Sequence, residues 1–289
     1  MSFLKVILLA VVQGLAELLP VSSSAHVVVA EKLMGLDPSS PAMTLLLVML
    51  HTGTMFAVIV YFWRQWKSTY FRSGEAFKSF AWRVILASAL TAVIGEIIIK
   101  ILEKTLFRGV PHAQIEDLFG RLDIVGPALA AAGVLILIAG LAERKGSAAG
   151  ERETPSLTYQ QSGLIGAVQG LCLPFRGFSR SGATISVGML AGAAKSEAER
   201  FSFALAVVLT PAAVAREALR LVHADHLAGG ADLAAAALPS LLGMVFAFLA
   251  GLLALKWLSQ WLERGRWYLF GIYCLAASAA VLYLHHLGY

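Results

Sequence analysis

The sequence predicts an all-α integral membrane protein arranged as an inverted-topology repeat, each half a re-entrant helix pair followed by three transmembrane helices. Three observations carry this prediction. Of 289 residues, 58% are hydrophobic and only 14% charged, and mean hydropathy is +0.74, too little charged surface for a soluble domain of this length. The apolar residues form long continuous runs, several of them able to cross a hydrocarbon core of about 30 Å. A string near the N-terminus also returns in mid-chain: Val12-Gln13-Gly14-Leu15 and Val168-Gln169-Gly170-Leu171, an offset of 156 residues (169 minus 13).

Taken in order, Phe3–Leu19 is apolar but ends at Pro20, and Ala25–Met34 is too short to span. The two form a re-entrant pair that enters and leaves on one face. Exposed backbone at that depth is tolerated only where protein or a water-filled cavity surrounds it. Spans follow at Ala42–Trp63, at Val84–Leu102 (carrying Glu96) and at Ile124–Ala142. The charged, proline-containing linker at 143–158, with Arg144, Lys145, Glu151, Arg152, Glu153 and Pro155, marks the hinge. A second re-entrant pair, Tyr159–Cys172 and Gly182–Ala194, precedes spans near Phe201–Val222, Ala235–Trp257 and Trp267–Leu287. The whole is one membrane domain, 1–289, with repeat one at about 1–142 and repeat two at about 159–289. Three crossings per half is an odd number, so the second half lies upside down relative to the first, and the broken helices meet near the midplane.

Composition excludes several classes. Cys172 and Cys274 lie within apolar runs, with no disulfide framework or zinc-ligand spacing. The +5 net charge suits anionic headgroups, and no basic–aromatic interleaving argues for nucleic acid. No signal-peptide pattern precedes the first apolar run, which continues into the first motif. One face gathers Arg64, Lys67, Arg72, Lys78, Arg83, Arg144, Lys145, Arg152, Lys195, Arg200, Arg264 and Arg266. All six tryptophans fall there too, as an interfacial belt. The other face has fewer cations, offset by Glu103, Glu116, Asp117, Asp225 and Asp232. The basic face is expected to be cytoplasmic, which puts both termini on the external side.

The polar breaks between apolar runs are where chemistry is expected. Gly177-Phe178-Ser179-Arg180-Ser181-Gly182-Ala183-Thr184 carries a guanidinium and three hydroxyls, with Ser179 or Ser181 able to cap the helix that follows. Free N–H groups, hydroxyls and an arginine at a helix N-terminus are the elements of a phosphate site. Ser179, Ser181 and Thr184 supply donors beside Arg180. The bland alternative is a loop whose arginine reaches lipid headgroups. In the first break, Gln13 and Glu17 are four apart and share a helical face. A carboxylate in an apolar helix needs a cavity or a partner. Glu17 is therefore a general base, a metal ligand, or the ion-pair partner of Arg180 across the repeat interface. Ser22, Ser23 and Ser24 form a hydroxyl cluster at the next helix start, and His26 follows. His51, without such company, reads as a structural polar contact near the cavity. Glu96, Arg216, Glu217 and Arg220 are expected to pair or snorkel.

The strings from Gln13 to His26 and from Gly177 to Ser186 resemble the two signatures of the bacterial undecaprenyl-diphosphate phosphatases, the integral-membrane enzymes associated with bacitracin resistance. The resemblance runs over nearly the whole chain. It implies hydrolysis of undecaprenyl diphosphate, with Ser23 as the hydroxyl at the reaction centre, Glu17 and His26 handling protons, and Arg180 gripping phosphate. Ser179, Ser181, Thr184 and Gln13 would assist binding. A divalent cation (Mg or Ca), held in part by Glu17, is an expectation of the same kind, as are a lipid diphosphate partner, the bacterial inner membrane, and an oligomeric state left open, a homodimer included. Three departures stand out: Gln13 where glutamate is frequent, Arg176 where the second signature has proline, and Ala25 where glycine is usual. The alternative reading is a polyprenyl-phosphate flippase using the same anion site, since broken helices in inverted repeats are also transporter architecture. Glu17 and His26, which a carrier does not need, favour the enzyme. A haloperoxidase-like lipid phosphatase would place a histidine shortly after the arginine, and Ser181–Ala194 contains none.

Overall fold

The computed structural model describes residues 2–37, 40–106, 120–146, 156–228 and 231–289. Ten helices follow one another among them: α1 Phe3–Leu18, α2 Ser23–Met34, α3 Pro41–Thr69, α4 Gly74–Leu106, α5 Leu122–Gly146, α6 Tyr159–Cys172, α7 Arg180–Leu190, α8 Lys195–Ala228, α9 Ala231–Glu263 and α10 Trp267–His286. Six of them, α3, α4, α5, α8, α9 and α10, are long and apolar enough to cross a membrane. The other four are the two short pairs the sequence places at the polar breaks. Most of the expected hinge, and the acidic positions Glu116 and Asp117, lie outside the described residues.

Helices run past the apolar windows by several residues at their ends. α3 continues from the expected Trp63 to Thr69, and α9 from Trp257 to Glu263. Hydropathy marks the stretch that lipid requires, whereas the helical backbone keeps its hydrogen bonds into the interface, where polar side chains are welcome. Local signals fix the starts. Ser40 accepts from the Met43 N–H with Pro41 in the first turn, and Thr158 with Gln161 forms a complete capping box at α6.

The two copies of the duplicated string have matching packing partners. α1 lies against α9, α6 lies against α4, and α5 packs on α10. A side chain at Gly14 would bring Cβ to 2.7 Å from the Ala247 carbonyl and the Ala250 Cβ. At Gly170 it would meet the Thr91 carbonyl at 2.9 Å and the Ile94 Cβ at 3.0 Å. Positions 14 and 170, 91 and 247, and 94 and 250 are all related by the same offset of 156 (170 minus 14, 247 minus 91, 250 minus 94). Each half thus presses the glycine of its first short helix onto the middle span of the other half.

Tryptophan placement departs from the expected belt. Trp63, Trp82 and Trp257 are exposed, but Trp66 and Trp267 are buried. Their indole N–H groups find internal partners, the Arg200 carbonyl at 3.3 Å and Ser186 Oγ at 2.9 Å, which makes an inward position affordable. Glu96 pairs with Lys100 one turn on, at 3.1 Å on an exposed face. Cys172 and Cys274 are both free thiols.

Candidate active site

The two polar breaks meet. Arg180, the first residue of α7, puts Nη2 3.0 Å from Oε1 of Glu17, near the end of α1. Ser181 Oγ donates to the Leu19 carbonyl at 3.3 Å, and the Gly177 N–H donates to Ser24 Oγ at 3.3 Å. Gly177 is required here: its φ is +107°, and a Cβ would sit 2.4 Å from the Val125 carbonyl. Ser23 and Arg180 are the first residues of α2 and α7, so two helix N-termini converge on one place. Their dipole ends and unpaired N–H groups favour negative charge between them.

Glu17 organises the centre. Ser23 Oγ donates to its Oε2 at 2.5 Å, and Gln13 Nε2 donates to the same oxygen at 3.3 Å. Its other oxygen takes Arg180, so both oxygens are engaged. About a fifth of the Glu17 side chain and a quarter of the Arg180 side chain remain accessible, so small molecules can reach the pair (20% and 24%). Nη1 of Arg180 is buried and has no hydrogen-bond partner among the described residues. A buried guanidinium N–H without an acceptor is costly, and it is satisfied when an anion arrives.

The backbone before Ser23 is strained. Ser22 has φ +67° and is the one described non-glycine residue with positive φ. Such a conformation costs about 1–3 kcal/mol and needs compensation from its surroundings. Here it turns the chain from α1 into α2 so that Ser23 lands on Glu17. The Ser22 side chain makes no capping bond and instead lies 3.3 Å from Ser24 Oγ.

Several expected site residues have other hydrogen-bond partners. The His26 ring is held from both sides. Its Nδ1 donates to the Ser22 carbonyl at 2.8 Å, and its Nε2 lies 2.7 Å from the Tyr273 hydroxyl, with the two rings stacked at 5.7 Å. A carbonyl can only accept, so the proton sits on Nδ1 and the phenol donates to Nε2. Ser179 caps α7 by accepting from the Gly182 N–H at 3.2 Å. Thr184 is fully buried, donating to the Arg180 carbonyl at 2.7 Å and lying 2.6 Å from Ser202 on α8. It ties the first turn of α7 to α8. His51 comes closer than its sequence context indicates: Nδ1 is 2.6 Å from Gln13 Nε2. No motif spacing could have flagged it, since it sits 38 residues from its partner on another helix.

No group of three or more histidine, cysteine, aspartate or glutamate side chains converges to hold a metal among the described residues. With glutamine at position 13 and both Glu17 oxygens bonded to Ser23 and Arg180, the donor set does not fit a resident divalent cation.

A carboxylate–hydroxyl pair facing an arginine at two helix N-termini, in a chain with six helices able to cross a membrane, has the kinds of group that phosphoryl transfer uses. Comparison with known proteins agrees. The family model described as "Bacitracin resistance protein BacA" matches residues 6–280, and this chain belongs to that family. It is 59% identical over 287 residues to "Undecaprenyl-diphosphatase 2" of Acinetobacter baylyi, covering 98% of each protein. It is also 34% identical over 290 residues to "Undecaprenyl-diphosphatase 1" of Burkholderia pseudomallei (96% of this chain, 95% of the relative). "Undecaprenyl-diphosphatase 3" of Frankia casuarinae is 32% identical over 298 residues, covering 98% of this chain and 97% of the relative.

Proposed function

We propose that this protein hydrolyses undecaprenyl diphosphate to undecaprenyl phosphate and inorganic phosphate, recycling the carrier lipid for cell-wall synthesis. The full-length relatives named for that substrate support it. The observation that carries the chemistry is the 2.5 Å contact between Ser23 Oγ and Glu17 Oε2. A hydroxyl held on a carboxylate, beside an arginine with one donor to spare, is an activated nucleophile next to an anion clamp.

In the mechanism we infer, Ser23 Oγ attacks the terminal phosphorus while its proton passes to Glu17. The bond from that phosphorus to the bridging oxygen breaks, and undecaprenyl phosphate leaves. Water then attacks the phosphoserine, the P–Oγ bond breaks, inorganic phosphate departs, and the proton held on Glu17 returns to Ser23. Arg180 serves two partners, with Nη2 keeping Glu17 charged and in place and Nη1 taking a phosphate oxygen. Phosphoryl transfer relies mostly on such positioning and charge stabilisation. His26, held by Ser22 and Tyr273, borders the site and does not join the Ser23–Glu17 pair. Every residue in this scheme comes from one chain.

We place the two halves in inverted orientation, consistent with three spans following each short pair, and both termini on the external side, consistent with the basic face at Arg64, Lys67 and Arg72 being cytoplasmic. The α1–α2 pair then enters from outside and opens the site to that face.

The test is phosphate release from prenyl diphosphates of several lengths by purified protein, with and without chelator, and by Glu17→Gln. Release by the wild-type protein, lost by about 10³-fold or more in Glu17→Gln, supports the reading. A protein that binds prenyl diphosphate and releases no phosphate overturns it.

A further inference from the structure

His51 lies outside both motifs, in the middle of α3, yet it is tied to the reacting pair through one amide. Gln13 Nε2 is 2.6 Å from His51 Nδ1 and 3.3 Å from Glu17 Oε2. A carboxylate oxygen only accepts, so the atom facing it is the amide NH₂. That nitrogen only donates, so Nδ1 of His51 is the acceptor and the ring proton sits on Nε2. The hydrogen bonding of Gln13 thus sets the tautomer of a ring on another helix.

The position of the ring adds a second, independent observation. α3 packs on α9, α1 and α8, and the neighbours Leu50 and Thr54 are buried, yet His51 itself is exposed. Through Gln13 it is one further hydrogen bond from Glu17, which also holds Arg180. An exposed ring bonded to the amide that also holds Glu17 stands at the edge of that site. Its Nε2–H has no partner among the described residues, and Nη1 of Arg180 is likewise unpartnered. Among the described side chains the site therefore presents an uncommitted N–H on α3 and another on α7.

We propose that His51 is a further catalytic residue that donates its Nε2–H to a non-bridging oxygen of the diphosphate. The proposal rests on the function inferred above. A diphosphate offers several charged oxygens, more than one guanidinium nitrogen can take, and a neutral donor adds a contact without another cation beside Arg176 and Arg180. It also gives Gln13 a role: its NH₂ bridges Glu17 and His51, holding the base on one side and orienting the donor on the other. Such outward orientation through a neighbour's hydrogen bond is how a histidine's reactive nitrogen is usually chosen.

The experiment uses full-length protein labelled with ¹⁵N-histidine in detergent micelles, His51 being assigned by the signal missing from His51→Gln. A non-hydrolysable methylene-bridged prenyl diphosphonate is the probe. The expected result is an Nε2–H tautomer at His51 whose Nε2 resonance moves on saturation. In parallel, kcat/KM for prenyl diphosphate falls about 10- to 100-fold in His51→Ala, the loss of one hydrogen bond to a charged group. His51→Gln, whose amide can accept from Gln13 and donate outward, keeps most of the activity. A His51 resonance unmoved by saturating diphosphonate, in protein that hydrolyses prenyl diphosphate, overturns this inference and leaves the functional reading intact. Activity of His51→Ala close to that of wild type overturns it as well. Wild-type protein that releases no phosphate sinks the functional reading, and this inference falls with it.

Discussion

Replacing Arg180 by lysine separates the charge of this residue from its shape. The guanidinium holds Glu17 through Nη2 at 3.0 Å while Nη1 is left without a partner. A planar fork can serve two acceptors at once, and an ammonium in the same place cannot reproduce that geometry. Lysine keeps a positive charge and forfeits one charge-assisted contact, to Glu17 or to phosphate. Hydrogen bonds to charged groups are worth about 1.5–3 kcal/mol, which corresponds to about 10- to 150-fold in kcat/KM. Alanine loses both contacts and leaves Glu17 held by Ser23 and Gln13 only. Its added cost in stability stays below the about 3–5 kcal/mol of a broken fully buried pair, because both side chains are partly accessible. Arg180→Lys should therefore lose about 10- to 150-fold in kcat/KM and Arg180→Ala more, with the lysine variant melting closer to wild type. Phosphate release against prenyl diphosphate concentration, with a thermal-shift measurement on each variant, reads both quantities. A lysine variant within about threefold of wild type in kcat/KM would refute the split-fork arrangement.

Two further outcomes follow from the geometry. Gly14→Ala and Gly170→Ala should each destabilise by about 1–3 kcal/mol, since each Cβ meets backbone of the facing span and cannot be accommodated by a rotamer change. The two variants should behave alike in denaturation in mild detergent, and a neutral Gly170→Ala beside a damaging Gly14→Ala would argue against equivalent packing of the halves. For access, a cysteine at the exposed position 51, in a protein with Cys172 and Cys274 replaced, should react with a membrane-impermeant thiol reagent in intact cells. Labelling confined to inverted vesicles would contradict an external opening.

Much of this was legible in the sequence because lipid imposes simple rules. A span needs about 20 apolar residues, and an apolar run broken by proline and hydroxyl residues cannot be one. The recurrence of Gln-Gly at positions 13–14 and 169–170 has a packing reason: each glycine lies against the backbone of a facing helix. The meeting of Glu17 with Arg180 followed from charge, since neither tolerates an apolar helix alone. What was not legible depends on side-chain direction across long separations. His26 stands three residues after Ser23, and its Nε2 bonds to the Tyr273 hydroxyl, 247 residues away. Thr184 sits in the second motif but rotates to Ser202 on α8. Trp66 and Trp267 share the flanks of the exposed tryptophans and are drawn inward by acceptors that no hydropathy window reveals. His51 had no motif at all, and only the fold of α3 against α1 brings it to Gln13.

The claim on which the account depends is that Ser23, primed by Glu17, forms a bond to phosphorus. Rapid acid quench of purified protein with undecaprenyl diphosphate labelled in its terminal phosphate, followed by peptide mass mapping, addresses it directly. Label on Ser23, absent from Glu17→Gln and from Ser23→Ala, is the predicted result. Substantial turnover by Ser23→Ala, with no labelled serine in the wild-type protein, would contradict it and transfer the attack to water.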